Sequence, residues 1–171
     1  MDDPRVLEEI RDGVAAICRD FPGRYWQERD AAREYPEDFV NALTASGYLA
    51  ALVPEEYGGS GLSLTAAAVI LEEIHRNGCN AAACHAQMYT MGTVLRHGSD
   101  GQKQAYLPGI ADGSLRLQAF GVTEPTSGTD TLSLRTTARR DGDDYIVNGQ
   151  KIWTSRAEYS DLMLLLSLIH I

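Results

Sequence analysis

Apolar residues recur at three- and four-residue intervals through most of the chain and at every second residue towards its end. Val6, Leu7, Ile10, Val14 and Ile17 predict an amphipathic helix over the first twenty residues, ended near Phe21-Pro22-Gly23. Tyr35-Pro36-Glu37-Asp38 starts a second helix, with proline in the first turn and acids at the positive end of the dipole. Phe39, Val40 and Leu43 form its buried face and Gly47 its stop. Leu49 to Val53 is an apolar connector into Tyr57-Gly58-Gly59-Ser60-Gly61, which lacks the lysine and the strand-to-helix setting of a phosphate loop and reads as a flexible turn. Ser63 caps a helix running to Arg76 with a Val69, Ile70, Ile74 stripe, and Asn77-Gly78 breaks it. A helix rich in small residues follows from Asn80 to Arg96, where Met88 and Met91 fill the contacts. His97-Gly98 ends it, and Ser99 with Gln102 forms a capping box for a helix carrying Tyr106, Leu107 and Ile110.

After Asp112-Gly113 the period becomes two, which sets a boundary between residues 1–113 and 114–171. Leu115, Leu117 and Ala119 predict a strand, as do Leu132 to Arg140 and Asp144 to Val147, with Asp141-Gly142-Asp143 as the turn between the last two. Asn148-Gly149 is a type I′ hairpin signal leading to strands from Gln150 onward, and the apolar run from Leu162 to Ile171 reads as a buried strand cut short. The fold class expected is α+β: an N-terminal helical domain followed by a partial antiparallel β-barrel domain.

Two stretches carry the candidate chemistry. Val122-Thr123-Glu124-Pro125-Thr126-Ser127-Gly128-Thr129-Asp130 joins two expected strands, is dense in hydroxyls, and has a proline before the turn and one glycine able to take positive φ. Such a loop can aim several donors at one polar ligand; an ordinary surface turn has the same composition. Downstream, Trp153 offers a flat apolar face and Ser155, two residues on along an expected strand, lies on the same side. That pairing suits a planar heteroaromatic ligand, and a core tryptophan at a strand end is the competing reading.

Composition narrows the classes. Formal charge of −9 argues against nucleic acid or an anionic membrane surface as partner, while leaving room for a local phosphate site. Cys18, Cys79 and Cys84 lack metal-type spacing and read as reduced thiols, the latter two as small apolar fillers on a helix. His75, His85 and His97 show no spacing that would place two ligands on one helix face near a carboxylate, so no metal site is expected. The acidic start Met1-Asp2-Asp3-Pro4-Arg5 has no apolar core for a signal peptide, which makes a cytoplasmic protein the default.

Taken together, Thr123-Glu124-Pro125 with Gly128-Thr129-Asp130, then Asn148-Gly149 with Lys151 and Trp153, resemble the flavin-binding pattern of the acyl-CoA dehydrogenase family. The run Val53 to Leu62 is similar to another stretch of that family in the right order. The resemblance covers roughly Pro36 to Leu166 and implies a helical domain, a β-domain and a further helical domain, of which the third is absent. It implies FAD as cofactor and an acyl-CoA thioester as substrate, oxidised to the trans-2-enoyl product by α-proton abstraction and β-hydride transfer to flavin N5. It implies that Phe120, Val122, Thr123, Gly128 and Thr129 line the flavin, with Thr123 at the pyrimidine edge and Thr129 between cofactor and substrate. Trp153 would pack on the ring, with Thr154 beside it and Ser155 donating to N5. Glu124 and Asp130 take structural roles in loop shape, and the catalytic base is expected in the missing domain, so the chain alone is expected to be inactive. An electron-transfer flavoprotein as acceptor, a homodimer or homotetramer, and a place in β-oxidation follow from the same resemblance. A flavin-dependent oxidase or monooxygenase on this fold, or a non-catalytic interaction protein, are the alternatives. The closing Ser167-Leu168-Ile169-His170-Ile171 departs from the family and is expected to be a truncated or mis-ended frame.

Overall fold

A computed structural model describes residues 3–169, and within it the chain divides into two compact units that meet between Arg116 and Leu117.

The first unit is helical: α1 (Pro4–Arg19), α2 (Gly23–Ala32), α3 (Glu37–Ala45), α4 (Leu64–Arg76), α5 (Ala82–His97) and α6 (Asp100–Asp112). Asp3 caps α1 by accepting from the Arg5 N–H, and Ile10, Val14 and Cys18, four residues apart, form its buried stripe. That stripe joins Phe39, Val40 and Leu43 of α3 and Ala67, Ile70 and Ile74 of α4 in one core. Arg11 of α1 reaches Glu72 at 2.7 Å and Glu73 at 3.1 Å on α4, fixing the two helices in register.

Helix α2 has no apolar period and no fully buried residue, so periodicity does not reveal it. Its hold on the unit is aromatic: Trp26 meets Phe39 edge-on at 4.9 Å, and its indole N–H donates to the Phe21 carbonyl at 3.1 Å. The caps expected at Ser63 and at Ser99 with Gln102 are both formed. Pro108 lies inside α6, where it forgoes one helical bond. The glycine-rich turn is tightly built: Gly59 packs onto Val53, and its N–H donates to the Pro54 carbonyl at 3.2 Å. Cys79 lies in the connection between α4 and α5 instead of on a helix, because the helix stops at Asn77-Gly78. All three cysteines are free and buried, and burial pushes the Cys18 and Cys84 thiols up to about 12, which suppresses the reactive thiolate. Among the described residues no helix is long and apolar enough to cross a membrane.

The second unit holds β1 (Leu117–Gly121), β2 (Thr137–Asp141), β3 (Asp144–Asn148), β4 (Leu162–Leu165) and β5 (Leu168–Ile169). Among the described residues, β2 and β3 are the strands that pair antiparallel, through the Gly142-Asp143 turn; β1 with β4 and β2 with β5 pair parallel. The antiparallel expectation therefore holds for the hairpin alone. Residues 122–161 separate β1 from β4 and give the chain length enough to cross over and return in the same direction.

Three local expectations change. The strand expected from Leu132 begins at Thr137, because Ser133 donates from its backbone and its hydroxyl to Asp130 and closes a 3-10 turn over Thr131–Ser133. Leu134, Thr136 and Ala138 still alternate inward, but Leu132 is 92% exposed. The Asn148-Gly149 pair is no hairpin turn: β3 ends there and residues 149–154 run without regular structure. The apolar end is two short, half-buried strands and not one buried strand, and His170 and Ile171 of that expectation lie outside the described residues.

Candidate functional site

Pro125 and Thr126 sit at the tip of a reverse turn, closed by the Glu124 N–H donating to the Ser127 carbonyl at 2.8 Å and the Ser127 N–H to the Glu124 carbonyl at 3.2 Å. Two of the loop's donors are thus used by the turn itself. Gly128 does not adopt the positive φ its type permits, and both it and Thr129 are exposed on the arm leading to the 3-10 turn.

Glu124 is the anchor beneath this loop. Its side chain is 3% exposed, and its carboxylate accepts from the Arg135 N–H at 2.7 Å, the Thr136 N–H at 2.9 Å, the Thr136 hydroxyl at 2.5 Å and the Lys151 ammonium at 2.9 Å. The Thr136 hydroxyl and then Lys151 hold the carboxyl down to about 2. A carboxylate so tied and so acidic is a poor proton acceptor, in keeping with the structural role expected of it.

The second segment lies directly alongside. Lys151 Nζ also donates to the Val122 carbonyl at 2.9 Å, and the Ile152 N–H donates to the Thr123 carbonyl at 2.9 Å. The loop and the tryptophan segment are thus sewn together at Val122, Thr123 and Glu124. Phe120 is half-buried on β1 opposite Leu164 of β4, and Val122 and Thr123 are half-buried beyond it.

Trp153 is 84% exposed and takes a left-handed backbone, φ 59°. A bulky side chain in that region is strained by about 1–3 kcal/mol, and such residues cluster at ligand sites. The core reading of Trp153 is excluded by its exposure. The strand reading fails too: Trp153 and Arg156 both have positive φ, so Ser155 does not share a strand face with Trp153 and sits exposed in a turn, with Thr154 half-buried between them. Among the described residues, the bonds joining the two segments do not involve Gly128 or Thr129.

Residues 5–114 match the model of the acyl-CoA dehydrogenase N-terminal domain and residues 119–168 that of its middle domain. The chain belongs to the acyl-CoA dehydrogenase family. It is 33% identical over 158 residues to the acyl-CoA dehydrogenase fadE12 of Mycobacterium tuberculosis, covering 92% of this chain and 40% of that protein. Among solved structures it is similar to an acyl-CoA dehydrogenase from Bacillus anthracis complexed with FAD, with TM-score 0.84 and 27% identity over 98% of this chain and 29% of that one. It is also similar to the prolyl acyl carrier protein oxidase AnaB, with TM-score 0.84 and 26% identity over 95% of this chain and 44% of that one. The chain thus spans well under half the length of these relatives.

Within this acyl-CoA dehydrogenase segment, sequence reasoning left Lys151 and Thr136 without roles at the site and gave Gly149 only that of a hairpin turn. Lys151 is one of two lysines in the chain and lies at the start of an expected strand just after a turn signal, where a charged side chain is ordinarily solvated. Gly149 is required by contact and not by turn geometry: a methyl there would come within 2.6 Å of Thr136 Cβ.

Proposed function

We propose that this chain carries the flavin-binding segments of an FAD-dependent acyl-CoA dehydrogenase that forms trans-2-enoyl-CoA from acyl-CoA. The observation that carries the reading is the bond from the Ile152 N–H to the Thr123 carbonyl, which sets a strained, 84% exposed tryptophan beside a hydroxyl-rich loop. An exposed indole face is the surface a flat aromatic ring covers, and polar groups one segment away suit that ring's edge.

When bound, FAD supplies the hydride acceptor. Thr123 and the backbone next to it bind the pyrimidine edge, where donors favour the charge that builds on reduction. Phe120, Val122 and Gly128 line the ring, and Thr129 stands between cofactor and acyl chain. Trp153 excludes water from one face, with Thr154 at its flank, and Ser155 donates to the central ring nitrogen. The α-proton of the thioester goes to a carboxylate base that is not Glu124, whose oxygens are already occupied by four donors. The 171-residue chain by itself accordingly binds FAD weakly and does not turn over acyl-CoA. The same reading assigns an electron-transfer flavoprotein as the acceptor and a homodimer or homotetramer as the assembly.

Similarity to AnaB keeps an oxidase on the same fold as the second reading, distinguished by whether dioxygen reoxidises the reduced flavin. The test is titration of the chain with FAD, followed by quenching of flavin emission, with and without Trp153→Ala. The reading expects Trp153→Ala to weaken binding about tenfold or more. Equal affinity of the two proteins removes its basis.

A further inference from the structure

We propose that Lys151 is a positioning residue, whose buried ammonium holds the loop edge at Thr123 and the face of Trp153 at the spacing a flavin ring needs. The proposal rests on the flavin reading above and names the group that controls the geometry of that site.

Three segments are joined through this cation and its partner Glu124. Lys151, its side chain 8% exposed, donates to the Val122 carbonyl and to Glu124 Oε1, each at 2.9 Å. Glu124 in turn accepts from the N–H groups of Arg135 and Thr136 at 2.7 and 2.9 Å, so the loop and the stretch leading into β2 are joined through it to the tryptophan segment. Four donors on the Glu124 oxygens and two acceptors at the Lys151 ammonium hold the pair in one arrangement, and removing one partner strands the other.

What separates positioning from simple stabilisation is Trp153. Its backbone is left-handed, at φ 59°, and its side chain is 84% exposed, so no burial within the fold compensates for the strain. The restraints come from the residues immediately before it: the Ile152 N–H on the Thr123 carbonyl, and Lys151 on Val122 and Glu124. The latch therefore fixes the direction of a side chain that the folded unit itself does not use. A displacement of about 1 Å at such a point opens a gap that forfeits about a quarter to a half of a packed contact's attraction.

The test compares the 171-residue chain with its Lys151→Met and Lys151→Arg variants by hydrogen exchange at the Ile152 amide and by FAD titration read from flavin emission. The expected result for Lys151→Met is Ile152 exchange faster by about tenfold or more, amides of α1 to α6 unchanged, and FAD binding weakened by about tenfold. Lys151→Arg, which keeps a cation able to reach both oxygens, restores most of each. Should Lys151→Met unfold the second unit, Thr136→Val, which removes one hydroxyl donor from Glu124, carries the same two readouts. Unchanged Ile152 exchange overturns the latch, and lost protection with unchanged FAD affinity overturns its positioning role. Absence of any FAD binding by the parent chain sinks the flavin reading and the positioning role with it, while exchange at Ile152 still reports whether the latch exists.

Discussion

Substituting Gly149 by alanine probes the support beneath the two segments proposed to hold the flavin. A methyl at this position would lie 2.6 Å from Thr136 Cβ and 2.7 Å from Thr136 Cα, against an ordinary carbon contact of about 3.5–4.0 Å. Much of the obstacle is backbone, so relief requires the residues after β3 or those before β2 to move by about 1 Å. Thr136 cannot move freely, because its N–H and hydroxyl both hold Glu124. Overpacking of this kind costs about 1–3 kcal/mol, and for a small unit each kcal/mol lowers the melting temperature by about 4–8 °C, so a drop of roughly 5–20 °C is expected. Gly128→Ala is the control: its methyl meets nothing within 4 Å, its φ is not positive, and the expected change is within about 0.5 kcal/mol. Thermal unfolding followed by fluorine NMR of fluorotryptophan-labelled chain isolates the second unit, since Trp153 is its only tryptophan and Trp26 reports the first. Equal melting of Gly149→Ala and the parent, or an equal loss in Gly128→Ala, refutes the reasoning.

Glu124 makes the second unit acid-sensitive. Its folded value lies below the ordinary 4.5, at about 2, so its contribution to stability is whole above pH 4.5 and is lost as pH falls through about 2. Acid titration of the Trp153 signal shows this limb, and Glu124→Gln removes it. Phe39→Ala deletes a 1% exposed ring that meets Phe21 at 5.1 Å and Trp26 at 4.9 Å, and is expected to destabilise the first unit by about 3–5 kcal/mol in urea unfolding. Ser99→Ala removes the hydroxyl that accepts from the Gln102 N–H in the α6 capping box, leaving the Ser99 N–H on the Gln102 side chain, and is expected to cost about 1 kcal/mol in the same assay, with the Trp153 signal unaffected.

The helical unit was legible wherever a periodic stripe or a local cap defined it: the Ile10, Val14, Cys18 face of α1, Ser63 before α4, and Ser99 with Gln102 before α6. Helix α2 was not, because its attachment is three-dimensional, through Trp26 on Phe39, and leaves no period behind. In the β unit, alternation marked Leu134, Thr136 and Ala138 as inward, but not the direction of pairing, which depends on where residues 122–161 return. The two candidate segments were marked by their motif, but their local geometry was misread. Asn148-Gly149 has the composition of a hairpin turn, yet the glycine serves a close contact with Thr136, and Trp153 reaches solvent through a left-handed backbone and not through strand alternation. Lys151 was silent because one buried cation looks like any surface lysine until its partners are in place.

The claim that two sewn segments grip one flavin ring is tested most directly by a crystal structure of the chain with FAD. The account predicts the isoalloxazine against the indole of Trp153, with Thr123 at its pyrimidine edge and the Ile152 to Thr123 bond retained. A flavin bound elsewhere, with Trp153 still facing solvent, would contradict it.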